Sequence, residues 1–277
     1  MKIVNGYDLM NYAKANNYLL PAFNTTNMEM TYAIAKGLND AKLPGYIQIS
    51  SNNLRLSSPE AIVALTKDAL KDVDVPIGLH LDHGKSYEDV KACVDAGFTS
   101  IMIDASHLPF EENVKEVKKA VEYCHFYGIP VEAELGALQG KEDDHVSEAD
   151  CHTDPAMVKD FVEQTGCDLL AVSVGNVHGL DIQPKVDLDL LKEIADVSPV
   201  PLVMHGGSGI PFETIQKGRQ AGLLKVNYGS DLRKEFVKTF GEAYEKNHNY
   251  CSVIELSMNA VDNVAKKAKE LVEIINA

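Results

Sequence analysis

The chain has 277 residues, 45% of them hydrophobic and 24% charged, with 41 acidic against 26 basic residues and a net charge of −15. That is the composition of a soluble globular enzyme, long enough to bury a core without staples, and the lack of any Lys/Arg-rich run argues against a nucleic-acid partner. The N-terminus MKIVNGYDLM is too polar for a signal peptide, no segment approaches the roughly 18 apolar residues of a membrane span, and Cys93, Cys124, Cys151, Cys167 and Cys251 show no CxxC spacing; together these predict a cytoplasmic protein with reduced thiols and no membrane partner.

Short β-rich apolar runs recur along the chain: YLLPAF (18–23), GYIQIS (45–50), PIGLHLD (76–82), TSIMID (99–104), IPVEAEL (129–135), DLLAVSV (168–174), PLVMHG (201–206) and LLKVNYG (223–229). Amphipathic stretches separate them. SYEDVKACVDAG sets Val90, Cys93 and Val94 on one side and stops at Gly97. NVKEVKKAVEYCHFYG does the same with Val114, Val117, Val121 and Cys124 before Gly128. DPAMVKDFVEQTG opens on an Asp cap before Pro155 and closes on Gly166. Eight strand–helix alternations without a composition break predict an α/β protein, a single-domain (β/α)8 TIM barrel over residues 1–277. A doubly wound open sheet is the alternative, weakened because no Gly-rich dinucleotide fingerprint follows the first strand. Two polar segments, 136–153 after the fifth strand and 175–187 after the sixth, are long enough to carry function. A last helix, from about Val253 to Ile275, is expected to cover the barrel or contact a second subunit.

The ionisable groups gather at strand ends. Asp82 and His83 end the third strand, Asp104 the fourth, Glu132 and Glu134 the fifth; His178 lies just past the sixth, His205 ends the seventh and Asn227 the eighth. In a barrel these share one rim. Taken singly, each histidine fits a hydrogen-bonded structural role. His83, His178 and His205 together, from three separate strands, suit a divalent cation with an open coordination position. His80, on the same strand face as Asp82, is given a supporting role; His107, His125, His145, His152 and His248 read as surface or loop residues. MHGGSGI (204–210) and KVNYGSD (225–231) are small-residue turns where backbone N–H groups can approach an anion, at the two loops where barrel phosphate sites form.

The segments HLDHG, SIMIDASHLPFEEN, VEAELGALQGKEDD, GNVHG, VMHGGSGI and KVN resemble the class II, metal-dependent ketose-bisphosphate aldolases, which include fructose-1,6-bisphosphate and tagatose-1,6-bisphosphate aldolases. The match runs from PAFNTTNME to SDLR. It implies a TIM barrel, a bound Zn2+ or another divalent metal, Na+ or K+ near the phosphate in many members, and a homodimer or homotetramer. By this resemblance His83, His178 and His205 are the metal ligands, with Glu134 a conditional ligand. Asp82 handles the C4 hydroxyl proton, and Glu142 exchanges the C3 proton of dihydroxyacetone phosphate. Gly179, Gly206, Gly207, Ser208, Asn227, Gly229 and Ser230 form the pocket for the triose and its phosphate. Asn24, Ser50 and Arg233 face the other end of the substrate.

The residue types suit that chemistry. Cleaving a C–C bond beside a ketone leaves negative charge that a Lewis acid stabilises. Asp82 next to His83 is placed to take a proton and Glu142 to return one, each such transfer contributing about 10²–10⁴-fold. A Schiff-base lysine is the competing route, and Lys225 is the one strand-end lysine available to it. Three departures from the family pattern bear on the substrate. Ile182 stands where lysine is usual, with Lys185 three residues on. Gly229 stands where many members carry Asp, Asn or Ala. The SSNNLRLSSPE region is short, with Arg55 as a speculative anion contact. Fructose 1,6-bisphosphate is the expected substrate, with tagatose 1,6-bisphosphate or a ketose 1-phosphate of different distal group as alternatives. A zinc hydrolase and a non-catalytic sugar-phosphate-binding barrel are more remote.

Overall fold

The computed structural model describes residues 3–136, 140–142, 145–147 and 152–277, with the backbone alone at 140–142 and 145–147. In chain order the elements are α1 (Gly6–Asn16), β1 (Leu20–Asn24), α2 (Met28–Ala41), β2 (Gly45–Ser50), a 3-10 turn (Asn53–Arg55), α3 (Pro59–Ala69), β3 (Ile77–Gly84), α4 (Tyr87–Ala96), β4 (Ser100–Ile103), α5 (Phe110–Phe126) and β5 (Val131–Leu135). They continue with β6 (Gly140–Glu142), β7 (His145–Ser147), α6 (Pro155–Thr165), β8 (Leu169–Val172), α7 (Leu188–Val197), β9 (Leu202–Met204), α8 (Phe212–Gln220), β10 (Leu223–Tyr228), α9 (Ser230–Lys246) and α10 (Val253–Ile275).

Eight strands close into a barrel in the order β1-β10-β9-β8-β5-β4-β3-β2, every neighbouring pair parallel. The open-sheet alternative is thereby excluded. All eight strand runs found in the sequence form the barrel, and the helix punctuation acts where expected. The Ser86 side chain accepts from the Asp89 N–H at the start of α4, and Gly97 ends that helix in the left-handed region. Asp154 caps α6 ahead of Pro155, and Gly166 closes it.

The structure adds elements that the sequence pattern does not announce. The helix α1 is capped by Asn5 and buries Leu9, Met10 and Ala13 at the N-terminal end of the barrel, tied there by Gly6 N–H to the Thr99 carbonyl at 2.9 Å. The predicted polar loop after β5 contains the antiparallel pair β6–β7, and α9 follows β10 directly. The last helix, α10, spans the predicted residues and packs on α2 and α9 of its own chain, burying Val264, Ala268, Leu271 and Ile275. Its seat on α2 is close: a side chain at Gly37 would come 2.6 Å from the Ala265 carbonyl oxygen. No helix among the described residues is long and apolar enough to cross a membrane.

Candidate active site

Side chains alternate across each barrel strand, so one set faces the helices and the other the barrel interior. On β3, Leu79 and Leu81 join the apolar layer, while His80 and Asp82 face inward; on β2 the inward set is Tyr46, Gln48 and Ser50, in register with them. The inward residues are polar and buried, and burial is tolerable only because they bond one another. Asp82 receives the Asn24 Nδ2 at 2.7 Å on one oxygen and the Asn227 Nδ2 at 3.0 Å on the other. Behind Asn24, the Gln48 Nε2 donates to its Oδ1 at 2.9 Å; behind Asn227, the Lys225 Nζ donates to its Oδ1 at 2.8 Å. Lys225 also donates to Glu132 at 2.9 Å. Burial by itself would raise the Glu132 carboxyl, but the Lys225 charge and the His205 hydrogen bond outweigh it and hold the group below the usual carboxylate range. His80, bonded to the Ser100 hydroxyl at 2.8 Å, is pushed well below the usual imidazole range, first by burial and then by the nearby Lys225 charge.

Above this network the three histidines converge. His83 lies within a register break between Leu81 and Gly84 and takes a φ of +46°, the left-handed region that a side-chain-bearing residue seldom adopts; here the strain accompanies a ring turned into the barrel mouth. Ring centroids lie 4.6 Å apart for His83 and His205, 5.3 Å for His83 and His178, and 6.0 Å for His178 and His205. One ring nitrogen from each falls within 4.8 Å of the other two.

Carboxylates fix two of these rings from behind. His83 Nδ1 meets Asp104 at 2.7 Å, and His205 Nε2 meets Glu132 at 2.7 Å. Asp104 is held below its usual range because the His83 contact and Ser106 hydrogen bonds overcome the opposing effect of burial. With those nitrogens carrying the protons, His83 Nε2 and His205 Nδ1 both present lone pairs, and they lie 2.8 Å from each other. Two acceptors at that distance repel unless a shared proton or a metal cation sits between or beside them. The donor set therefore fits a divalent cation, with the tautomers set by outer carboxylates as metal-bound imidazoles require. Glu134, buried, lies 4.0 Å from His83 Nδ1 and forms a second candidate ligand group with His83 and Asp104. Asp104 and Glu132 were assigned to the rim from sequence but given no task; the inward phase of VEAEL was the available signal for Glu132.

Beside the histidines opens a small cleft lined by Asn24, His178, Gly179, Gly206, Ser208, Asn227, Gly229, Ser230 and Arg233. Position 206 requires glycine: φ is +65°, and a Cβ would stand 2.0 Å from the Val177 carbonyl oxygen. At Gly229 the space of a missing side chain is filled by the Arg233 guanidinium, whose Nη2 lies 2.9 Å from where a Cβ would be.

The remaining expected contacts lie elsewhere. Gly207 is not among the residues lining this cleft, and its N–H donates to the Asn227 carbonyl at 2.9 Å. Ser50 ends β2 beside Asp82 but does not line the cleft. Lys185 is exposed and its backbone N–H donates to the Gly175 carbonyl at 2.9 Å, so this loop is built around a backbone pairing and the Lys185 side chain does not line the cleft. Ile182 and Arg55 are exposed. Glu142 lies on β6, and its side chain falls outside the described residues.

A closed parallel barrel with a glycine-rich cleft and an imidazole cluster that could hold a metal ion, both at the C-terminal ends of its strands, has the layout of a TIM-barrel enzyme site. Its relatives agree. The family model "Fructose-bisphosphate aldolase class-II" matches residues 4–277. The fructose-bisphosphate aldolase of Geobacillus stearothermophilus is 40% identical over 253 residues, covering 90% of this chain and 88% of that protein. The Staphylococcus aureus (strain Mu50) fructose-bisphosphate aldolase is 41% identical over 235 residues, covering 83% and 82%. Among solved structures, the YdjI aldolase from Escherichia coli K12 superposes with a TM-score of 0.84 at 30% identity, covering 99% of this chain and 97% of that one. This chain belongs to the class II fructose-bisphosphate aldolase family and is an aldolase, a carbon–carbon lyase.

Proposed function

We propose that this aldolase cleaves fructose 1,6-bisphosphate reversibly to dihydroxyacetone phosphate and glyceraldehyde 3-phosphate, with Zn2+ held by His83, His178 and His205 and Glu134 as a conditional fourth ligand. The observation that carries this reading is the convergence of one ring nitrogen each from His83, His178 and His205 within 4.8 Å of one another, with Asp104 and Glu132 bonded behind two of the rings. When bound there, a divalent cation supplies Lewis-acid stabilisation of the negative charge that develops at the ketose carbonyl during cleavage. Asp82, gripped on both oxygens by Asn24 and Asn227, accepts the C4 hydroxyl proton as the C3–C4 bond breaks. Glu142 returns a proton to C3, a role taken from the family resemblance. The cleft between Gly179, Gly206, Ser208 and Ser230 receives the C1 phosphate, and Arg233, the one cationic side chain lining it among the described residues, faces the rest of the sugar. A homodimer or homotetramer, a cytoplasmic location and a monovalent cation near the phosphate belong to the same family-based reading.

A second substrate reading rests on Gly229. With no side chain there and a guanidinium in its place, position 229 offers no neutral or acidic hydrogen-bonding group to the sugar. This favours tagatose 1,6-bisphosphate or a ketose 1-phosphate with another distal group as competing substrates. Lysine chemistry is disfavoured because Lys225 is buried and ion-paired with Glu132 beneath the cleft, where its amine cannot reach a carbonyl. Steady-state cleavage of a panel of these ketoses, before and after chelation and Zn2+ add-back, tests the whole reading. Activity on at least one is expected, lost with the metal and restored by it, and insensitive to borohydride. Metal-independent cleavage, or borohydride trapping on Lys225, would overturn it.

A further inference from the structure

The buried cation at the centre of the barrel has no place in the chemistry above. Lys225 is 1% exposed and its ammonium has three neighbours: Glu132 Oε2 at 2.9 Å, Asn227 Oδ1 at 2.8 Å and His80 Nε2 at 3.5 Å. An ammonium carries three donors and no acceptor, so this one is fully spent on the network. As a device for stability alone it is a poor choice. A buried ion pair costs so much desolvation that apolar residues of the same volume commonly do as well or better.

What distinguishes Lys225 is where its partners lead. Glu132 passes the contact through its other oxygen to His205 Nε2 at 2.7 Å, and Asn227 passes it through its Nδ2 to Asp82 Oδ1 at 3.0 Å. An amide whose oxygen faces a cation cannot flip, so the Asn227 NH2 is obliged to point at Asp82. Glu132, with one oxygen occupied by that ammonium at 2.9 Å, turns the other to His205 Nε2 at 2.7 Å, which leaves Nδ1 as the ring nitrogen that faces the site. The other support of Asp82 is weaker: Asn24 is backed by the neutral amide of Gln48 at 2.9 Å.

We infer that Lys225 is a positioning residue that couples the two halves of the site, fixing the tautomer of His205 through Glu132 and the donor direction of Asn227 toward Asp82 with a single ammonium. The inference rests on the reading of His205 as a metal ligand and Asp82 as the proton acceptor. It makes the two arms separable. In Lys225→Met both supports go, and Glu132 is left as an uncompensated buried carboxylate. In the double variant Glu132→Gln/Lys225→Met no buried charge remains, and the amide at position 132 can turn its oxygen to His205 Nε2 and accept the same hydrogen bond, while Asn227 stays unheld.

The experiment measures Zn2+ affinity of the apoprotein by competition with a chromophoric chelator, alongside kcat and KM on fructose 1,6-bisphosphate or whichever ketose the wild type cleaves. Lys225→Met is expected to bind Zn2+ about 10- to 100-fold more weakly. At saturating Zn2+ its kcat should fall by about 10²-fold, with KM little changed. The double variant should regain Zn2+ affinity to within about threefold of wild type, yet keep the lowered kcat. If Lys225→Met proves unable to fold, the double variant alone decides: near-native Zn2+ affinity with depressed kcat supports the coupling. Wild-type kcat in either variant, or Zn2+ affinity in the double as weak as when Glu132→Ala removes the acceptor altogether, overturns it. A wild-type protein that binds no Zn2+ would instead defeat the metal reading beneath it, and is recognised before any variant is made.

Discussion

The barrel has two buried layers, and they are built from opposite materials. Between strands and helices lie Ile47, Ile49, Leu79, Leu81, Ile101, Ile103, Val131 and Ala133, an apolar layer that gains its stability from area removed from water. On the inner side of the same strands lie Gln48, His80, Asp82, Ser100, Glu132, Lys225 and Asn227, equally shielded from solvent and held by directional bonds. Neighbouring residues on one strand thus do different work. An outer residue can be exchanged for another of similar size at modest cost, because dispersion and hydrophobic burial have no direction. An inner residue cannot, because its partner would be left buried and unsatisfied.

The contrast is open to test, and the largest effect belongs to the inner layer. Asp82→Ala should lower turnover by about 10²–10⁴-fold while bound metal, measured by elemental analysis, stays at the wild-type level. Loss of metal along with turnover would mean that Asp82 supports the cation site instead of handling a proton. Leu79→Ala probes the outer layer. Unfolding free energy should drop by about 2–5 kcal/mol in urea titrations, with the kcat of the folded fraction unchanged; a proportionate loss of kcat would erase the distinction between layers. A subtler inner change is Gln48→Met, which removes the donor behind Asn24 together with an amide oxygen that has no hydrogen-bond partner. It should reduce kcat about tenfold and cost about 1–3 kcal/mol of stability, because the buried Asn24 Oδ1 loses its donor.

Smallest of all is the response of the thiols. Burial pushes Cys124 and Cys167 up to about 12 and raises Cys93 as well, so none forms thiolate near neutral pH, while Cys251 is exposed. Among the described cysteines, a chromogenic disulfide reagent at pH 8, with the labelled peptides mapped, should modify Cys251 in the native protein and Cys93, Cys124 and Cys167 only after denaturation. Rapid native labelling of Cys124 would show that the helical shell opens more readily than its packing implies.

Much of this was legible before any coordinates. The eight strand runs, the stops at Gly97 and Gly166 and the limits of α10 follow from period, capping and left-handed glycine, all of which are local. Asn24, Gly179, Gly206, Ser208, Asn227, Gly229, Ser230 and Arg233 were grouped by resemblance and line one cleft. The helix α1 escaped because its apolar stripe is short and interrupted by polar residues. Adjacency in sequence cannot tell which N–H of the 206–208 turn faces a cleft and which, like that of Gly207, is spent on the Asn227 carbonyl. The tasks of Asp104, Glu132 and Lys225 were hidden for a related reason: their partners lie on other strands, at separations that no spacing rule encodes.

The sequence by itself determined the strands, the helices, the closed barrel they favour and the rim at which the polar groups collect, because alternation, capping and turn chemistry act between near neighbours. Only the tertiary structure decided which nitrogen of His83 and His205 faces the other, that Arg233 fills the space above Gly229, and that one ammonium ties Glu132 to Asn227. Those are matters of direction and distance between segments far apart in the chain, and they are set only when barrel closure fixes the register of every strand at once.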